Sequence, residues 1–342
     1  MLVILADDLT GTLDAAAPFA ARGLKVEVAL APSAIPEALA DDPDVLSINV
    51  RSREVGSQAA QAATRAVLDA LPADIVLFKK VDSRLKGHIA AELDVMRFQA
   101  ALVAPAIPDF GRIVEGGKVS GFGVDVPIPV SERLGLHAEN ARIPDTADME
   151  AMAVALEEAL AARVDLLVGA RGLADALARR MTGDALAHAA EIPAGPGLFV
   201  IGSRDPITLS QIEHLRVRHS PVYLAAPNGC LAPDKRAGTS LTLVQAVPGE
   251  EDLTSLAVAR HLASSVYPAG VQPSATLVLS GGATAEAVLE RMEIHRFRLL
   301  GECMPGLGVA FANGHCIIAK SGGFGGADTL SEIAARMLRD GS

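Results

Sequence analysis

The chain has 342 residues, half of them hydrophobic and about a fifth charged, which is long for one core and comfortable for two. A formal charge of −11 and a scarcity of aromatics (no Trp, two Tyr, nine Phe) argue against nucleic-acid binding, which needs a basic face and stacking platforms. No apolar run approaches the ~20 residues of a membrane span, and Cys230, Cys303 and Cys316 are too widely spaced for a disulfide framework or a CxxC metal pair.

The N-terminus reads MLVILADDLTG, with no basic region ahead of its apolar residues, and is expected to be a buried strand rather than a secretion signal. Short apolar runs at 2–6, 26–30, 45–50, 75–78 and 101–104 predict strands, with Ala-rich helical stretches at 12–21 and 57–71 between them. The five glycines within 111–129 suggest a loop or irregular hairpin near a site. A helix over 148–162 and a strand over 166–169 follow. The Pro/Gly-rich stretch 191–197 marks a domain boundary, giving domains 1–194 and 195–342. Beyond it, strands are predicted at 198–201, 222–224, 276–279 and 316–319, and helices at 206–216, 252–265, 284–291 and 329–338. Strands alternating with helices predict an α/β protein: two three-layer α/β domains with mostly parallel sheets and an interdomain active-site cleft. A cytoplasmic protein without nucleic-acid or membrane partners, and by default a homodimer, is expected.

Chemistry concentrates where the predicted strands end. Asp7 and Asp8 follow the first strand and precede a helix, where ligands of parallel sheets bind. Asp8 or Thr10 could cap that helix, but a cap explains one aspartate and not both. Adjacent carboxylates suit a cation, hydrogen-bond donors or a substrate hydroxyl. Lys79-Lys80-Val81-Asp82-Ser83-Arg84-Leu85-Lys86-Gly87-His88 follows the strand at 75–78, and Arg84 and Lys86 could hold a carboxylate or phosphate there. A solvated charged turn is the plain alternative. Asn49-Val50-Arg51-Ser52-Arg53 ends another strand, and Arg112, after Pro105 and Pro108, could also reach an anion.

The second half has three glycine-rich strand exits: Gly202-Ser203-Arg204-Asp205, Ser280-Gly281-Gly282-Ala283-Thr284, and Lys320-Ser321-Gly322-Gly323. Such turns let backbone N–H groups approach phosphate oxygens. None fits a P-loop or a dinucleotide-binding fingerprint. Asp8-Leu9-Thr10-Gly11-Thr12 also looks like the phosphorylated-aspartate motif of haloacid-dehalogenase-type phosphotransferases, although the second acid two residues on is replaced by Thr10.

The ordered set ADDLTGTLDAA (from Ala6), KKVDSRLKGHIAAEL (from Lys79), APAIPDFGR (from Ala104), VGARGLADALA (from Val168), IGSRDPITLSQIE (from Ile201), SGGATAEAVL (from Ser280) and KSGGFGGADTL (from Lys320) resembles the four-carbon acid sugar kinases. That family was once carried as a domain of unknown function, and the resemblance spans nearly the whole chain. It implies an N-terminal sugar-acid domain and a C-terminal ATP domain. It further implies phosphorylation of a threonate, erythronate or 3-oxo-tetronate with ATP and Mg2+. By the same resemblance Asp7, Asp8, Arg51, Asp82, Ser83, Arg84 and Lys86 line the acid site, with Asp8 or Asp7 as base. Ser203, Gly281, Gly282, Ala283, Thr284, Gly322 and Gly323 hold ATP, and Lys320 would help to hold its phosphates. Ala283 departs from the family's usual acid, and the segment after Gly229 is short. A non-catalytic sugar-acid sensor is therefore a further alternative.

Overall fold

The computed structural model describes residues 1–232 and 240–339. The chain separates into two compact units, Met1–His188 and Ala189–Ser342. The division falls before the Pro/Gly stretch that marked the expected boundary. That stretch is already bound to the second unit: the Ala190 N–H donates to Glu302 O (2.8 Å) and the Gly195 N–H to Met337 O (2.9 Å).

The first unit opens with β1 (Leu2–Ala6), α1 (Leu9–Ala20), β2 (Val26–Ala29), α2 (Ile35–Ala40), β3 (Val45–Asn49), α3 (Ser57–Asp69), β4 (Val76–Lys80), α4 (Ile89–Leu93) and β5 (Ala101–Ala104). It continues through β6 (Arg112–Glu115), β7 (Lys118–Gly121), β8 (Ile128–Pro129), α5 (Val130–Leu134), β9 (Ala141–Arg142), α6 (Met149–Ala161), β10 (Leu166–Gly169) and α7 (Arg171–Thr182). One parallel sheet runs in the order β2-β3-β1-β4-β10-β5-β9. Every residue of β1, β2, β3, β5 and β10 is buried. Such strands need cover on both faces. The helices fall into two packed groups, α1 with α7 and α6, and α3 with α4 and α5.

The chain fills one side of β1 with β2 and β3, then crosses to β4 on the other. The carboxyl end of β1 is therefore a topological switch point, the usual place for a ligand in an open α/β sheet. Of the loop or irregular hairpin expected over residues 111–129, the structure shows the hairpin, extended to a small antiparallel sheet of β6, β7 and β8. Val114 and Val119 anchor it, both fully buried.

The second unit comprises β11 (Gly197–Ile201), α8 (Pro206–His219), β12 (Val222–Pro227), β13 (Leu241–Val247), α9 (Ser255–Val266), β14 (Thr276–Ser280), α10 (Gly282–Arg291), β15 (Arg296–Met304), β16 (Leu307–Ala312), β17 (His315–Lys320) and α11 (Thr329–Met337). Its strands run β12-β13-β11-β14-β17-β16-β15. The first five are parallel, and β16 and β15 add an antiparallel meander. Helix α8 packs on α11 and α9 on α10. Phe199, Leu243, Val278, Ile318, Leu330 and Ile333 form the centre of one core layer. Among the described residues no helix is long and apolar enough to cross a membrane.

Candidate functional site

At the carboxyl end of β1 the two aspartates have different neighbours. Asp7 is almost fully buried and faces Arg53, whose Nε donates to Oδ2 and whose Nη2 donates to Oδ1 at 2.7 Å. This is a two-pronged guanidinium–carboxylate pair, the strongest common form of the contact. Burial alone would raise the Asp7 carboxyl, but the Arg53 hydrogen bond and the charges of Lys79, Arg53 and Lys80 outweigh it and hold it below the usual value. Asp8 caps α1: its Oδ1 accepts the Gly11 N–H at 2.7 Å, and its Oδ2 accepts the Thr10 hydroxyl at 3.3 Å. Burial pushes the Asp8 carboxyl up; Arg53 opposes this, the neighbouring Asp7 charge adds to it, and the net shift is upward. Asp8 thus caps the helix and still presents a carboxylate beside a second one.

Arg53 is the hub. Its Nη1 also lies 3.4 Å from Asp8 Oδ2 and 3.7 Å from Asp82 Oδ2, so one cation joins the ends of β1, β3 and β4. Gly87 closes this cluster from the turn after β4. Its φ is +93°, and a Cβ there would sit 2.6 Å from Asp7 Oδ2, so only glycine fits.

Beneath the cluster lies a buried ion pair. Lys79 Nζ is 2.8 Å from Glu92 Oε2, and each side chain is 1% exposed. The Ser52 hydroxyl donates to Glu92 Oε1, which ties the loop bearing Arg51 and Arg53 to α4. Lys80, also buried, runs past the first turn of α1: a Cβ on Gly11 would be 3.2 Å from its Nζ. Both lysines were expected to leave the strand; instead they are its last two residues.

The turn after β4 is shaped by Asp82, whose Oδ1 accepts the Arg84 N–H (2.8 Å) and, more weakly, the Lys86 N–H (3.4 Å). Arg84 and Lys86 are exposed. Buried Ser83 accepts a hydrogen bond from Arg112 Nη1 at 2.5 Å. Arg112 comes from β6, the first strand of the small sheet.

In the second unit the three glycine turns are stitched together. The Gly202 N–H donates to Ser280 O (3.0 Å), the Gly281 N–H to Lys320 O (3.0 Å), and the Thr208 hydroxyl to Gly322 O (2.8 Å). Gln211 Nε2 donates to Phe324 O (3.0 Å) and Gly326 O (2.8 Å), fixing the rest of the third turn. Asp205 caps α8 through the Ile207 N–H (2.9 Å). Helices α8 and α10 therefore begin near one another at the sheet's carboxyl edge; α8 opens with Pro206 and has its Ile207 N–H on Asp205, so the first N–H groups of α10 are the ones left for an anion. Gly202 is obligatory, because a Cβ there would overlap Thr284 Oγ1.

Lys320 has a different place from the one expected of it. Its side chain is fully buried, and Nζ donates to Thr208 Oγ1 (3.2 Å), Ser321 O (3.0 Å) and Gly322 O (3.1 Å). Burial pushes its ammonium down to about 8, against the pull of Asp205. It supports the turn from within and does not reach out of it.

In the first unit the structure gathers Asp7, Asp8 and Asp82 around Arg53. Ser83 meets Arg112, while Arg84 and Lys86 ride on the same turn. Arg51 has a left-handed φ of +58° with its N–H on Asn49 Oδ1 (3.0 Å). Arg53, two residues on, takes the position at the aspartates. Sequence reasoning thus held Arg53, Lys79 and Lys80 within its candidate motifs without giving them a place in the site, and gave Glu92 no role. Ser203, Gly281, Gly282, Ala283, Thr284, Gly322 and Gly323 lie on the joined turns of the second unit.

A charged cluster at the switch point of one α/β unit, followed by joined glycine turns at helix starts in a second, is the frame of a two-module α/β enzyme acting on small polar ligands. Two domain families match the chain in that order: a sugar-binding N-terminal domain over residues 2–133 and a nucleotide-binding C-terminal domain over 233–330. A D-threonate kinase of Bordetella bronchiseptica is 29% identical over 98% of this chain and 97% of its own length. A 3-oxo-tetronate kinase of Methylobacterium radiotolerans is 27% identical over 95% and 96%. Among solved structures, a Salmonella typhimurium LT2 protein shares the fold with a TM-score of 0.75 at 18% identity, over 99% of this chain and 98% of that one. The chain belongs to the four-carbon acid sugar kinase family.

Proposed function

We propose that the protein is an ATP-dependent kinase that phosphorylates a hydroxyl of a small four-carbon sugar acid, such as a threonate, an erythronate or a 3-oxo-tetronate. The observation that carries this reading is the end-to-end similarity to a D-threonate kinase, in a chain whose sugar-binding module is followed by a nucleotide-binding one. The unit Met1–His188 takes the acid and Ala189–Ser342 the nucleotide.

Phosphoryl transfer asks a protein for positioning and charge neutralisation more than for covalent chemistry. Asp8 accepts the proton of the attacking hydroxyl, while Asp7, committed to Arg53, holds that arginine in place. Arg84 and Lys86 supply positive charge to the acid. The N–H groups at the start of α10, with those of Gly322 and Gly323, receive the phosphates. Lys320 keeps the third turn in shape for them. Mg2+ in such sites keeps most of its waters and needs only one or two protein carboxylates beside the phosphates. The donor set fits that pattern. Among the described residues no three His, Cys, Asp or Glu side chains are placed to hold a metal ion together, and Asp205 lies against the third glycine turn, its Oδ2 3.5 Å from where a Gly323 Cβ would sit. Mg2+ would neutralise charge on the transferring phosphate.

Gly202→Ala should destabilise the second unit by about 1–3 kcal/mol, the usual cost of forcing an atom into a filled space. It should also abolish the rise in melting temperature that an ATP analogue gives the unaltered protein. An analogue-dependent rise of the original size would remove these turns from nucleotide binding.

Family membership replaces the haloacid-dehalogenase reading of Asp8. The sensor reading keeps one specific support, the absence of any acid in the first turn of α10, where Ala283 stands. The deciding experiment is ADP release from ATP and Mg2+ across a panel of four-carbon sugar acids, with glycerate and a five-carbon acid as controls. Acid-dependent ADP establishes the kinase. Calorimetric binding of an acid without ADP above background overturns it in favour of the sensor.

A further inference from the structure

We propose that Arg112, on β6, is the residue that grips the substrate's carboxylate, aimed by Ser83 and by the carbonyl of Phe122. The inference rests on the sugar-acid reading of the first unit and identifies the group that sets its preference for an acid over a neutral sugar.

The argument begins with which cations are already committed. Arg53 answers Asp7, Asp8 and Asp82, and Lys79 answers Glu92. Lys80 lies against the first turn of α1 and acts on both aspartates. These three cations face four carboxylates of the cluster itself and leave little for a ligand. Arg51 is already engaged; Arg84 and Lys86 remain, but both are exposed on long flexible side chains, which lose rotamer freedom on binding.

Arg112 differs on each count. It is half-buried and forms no ion pair among the described residues. Its orientation is set by neutral oxygens: Nη1 donates to Ser83 Oγ at 2.5 Å, while Nε and Nη2 donate to Phe122 O at 3.0 and 2.7 Å. Three of its five N–H groups are used in this way. One remains on each terminal nitrogen, the pair able to hold two carboxylate oxygens at once. Burial and the nearby charge of Arg84 both disfavour its positive charge, and only Asp82 offsets them. An anion between Arg112 and Arg84 would relieve that repulsion.

The placement suits a short substrate. Asp82, which meets Arg53 beside Asp8, and Ser83, which meets Arg112, are consecutive residues of one turn. A small acid with its carboxylate on Arg112 would thus reach the aspartate pair with its hydroxyls. Arg112 opens β6 and its partner Phe122 lies just beyond β7, so the antiparallel insert exists in part to bring this group to Ser83 at the switch point. Lysine could replace it only in part, keeping the charge but not the fork that meets Ser83 and Phe122 together, which belongs to the guanidinium.

The test is Arg112→Gln in the full chain, with Arg112→Lys and Ser83→Ala beside it. Calorimetry reads D-threonate affinity and steady-state assays read KM and kcat, both against the uncharged four-carbon polyol threitol. The expected result for Arg112→Gln is a rise of about 10- to 100-fold in KM and Kd for threonate, the span of a lost charge-assisted hydrogen bond. Turnover at saturation should change by less than about threefold, and the preference for threonate over threitol should collapse. Arg112→Lys should recover part of the affinity, and Ser83→Ala should show a smaller rise of the same kind. Wild-type threonate affinity in Arg112→Gln, or equal losses for acid and polyol, overturns the inference while leaving the kinase reading intact. Threonate binding to the unaltered protein without ADP release, lost again in Arg112→Gln, would sink the kinase and keep this assignment. Should Arg112→Gln fail to fold, unchanged affinity in Arg112→Lys is the overturning result.

Discussion

Replacing Glu92 by Leu is expected to lower the unfolding free energy of the first unit by about 3–5 kcal/mol, because it leaves Lys79 charged and without its partner in the interior. Both side chains of the pair are 1% exposed, so water cannot take over the lost contact. Urea denaturation of the single variant and of the double variant Lys79→Met/Glu92→Leu distinguishes this cause from simple loss of packing. The double variant should regain most of the loss, since two apolar groups of similar volume replace a pair whose desolvation cost was already high. A single variant that loses less than about 1 kcal/mol would show that the pair is effectively solvated. Glu92 also holds Ser52, one residue before the hub Arg53. The double variant, stable but lacking that bond, should therefore bind the acid more weakly than the unaltered protein.

The same pair shows where the sequence stopped being legible. The apolar runs 2–6 and 101–104 coincide with β1 and β5 because both are wholly buried and announce themselves by composition alone. Strand β4 ends in two lysines, which as sequence look like the start of a solvated turn. The structure keeps both in the sheet because Glu92, Asp7 and Asp8 answer their charge, and those partners lie on other elements. Arg51 and Arg53 are indistinguishable as text, two positions apart in one motif; only the fold brings the second against Asp7. Arg112 reaches Ser83 from 29 residues away through a small sheet that its glycines had marked only as a loop or irregular hairpin. The glycine turns of the second unit were easier, since each follows an apolar run and opens a helix or a long turn. What their sequence could not tell was the direction of Lys320, which turns inward onto carbonyls of its own turn. Strand β15 escaped notice because alternating exposure leaves it no continuous apolar run, and β16, an apolar run with its first four residues buried, was passed over with it.

Asp8→Asn is expected to lower kcat by a factor of about 10² or more while leaving the Kd for the sugar acid nearly unchanged, as removal of a general base should. Asparagine is the right replacement because it caps a helix about as well as aspartate, so the bond from the Gly11 N–H survives and the fold with it. Asp7→Asn is a different change. It dismantles the two-pronged grip on Arg53 and should lower stability and acid affinity together. Turnover of Asp8→Asn close to normal would remove Asp8 from the role of base. The pH profile separates the two aspartates without any substitution. A base must be unprotonated, so kcat falls as pH drops through its pKa. Burial and the adjacent Asp7 charge set the Asp8 carboxyl above the ordinary value, whereas Arg53 and the two lysines set Asp7 below it. The acid limb of kcat should therefore lie above pH 3.8, the usual carboxylate value. A limb below that value would transfer the base to Asp7 and leave Asp8 as the cap of α1.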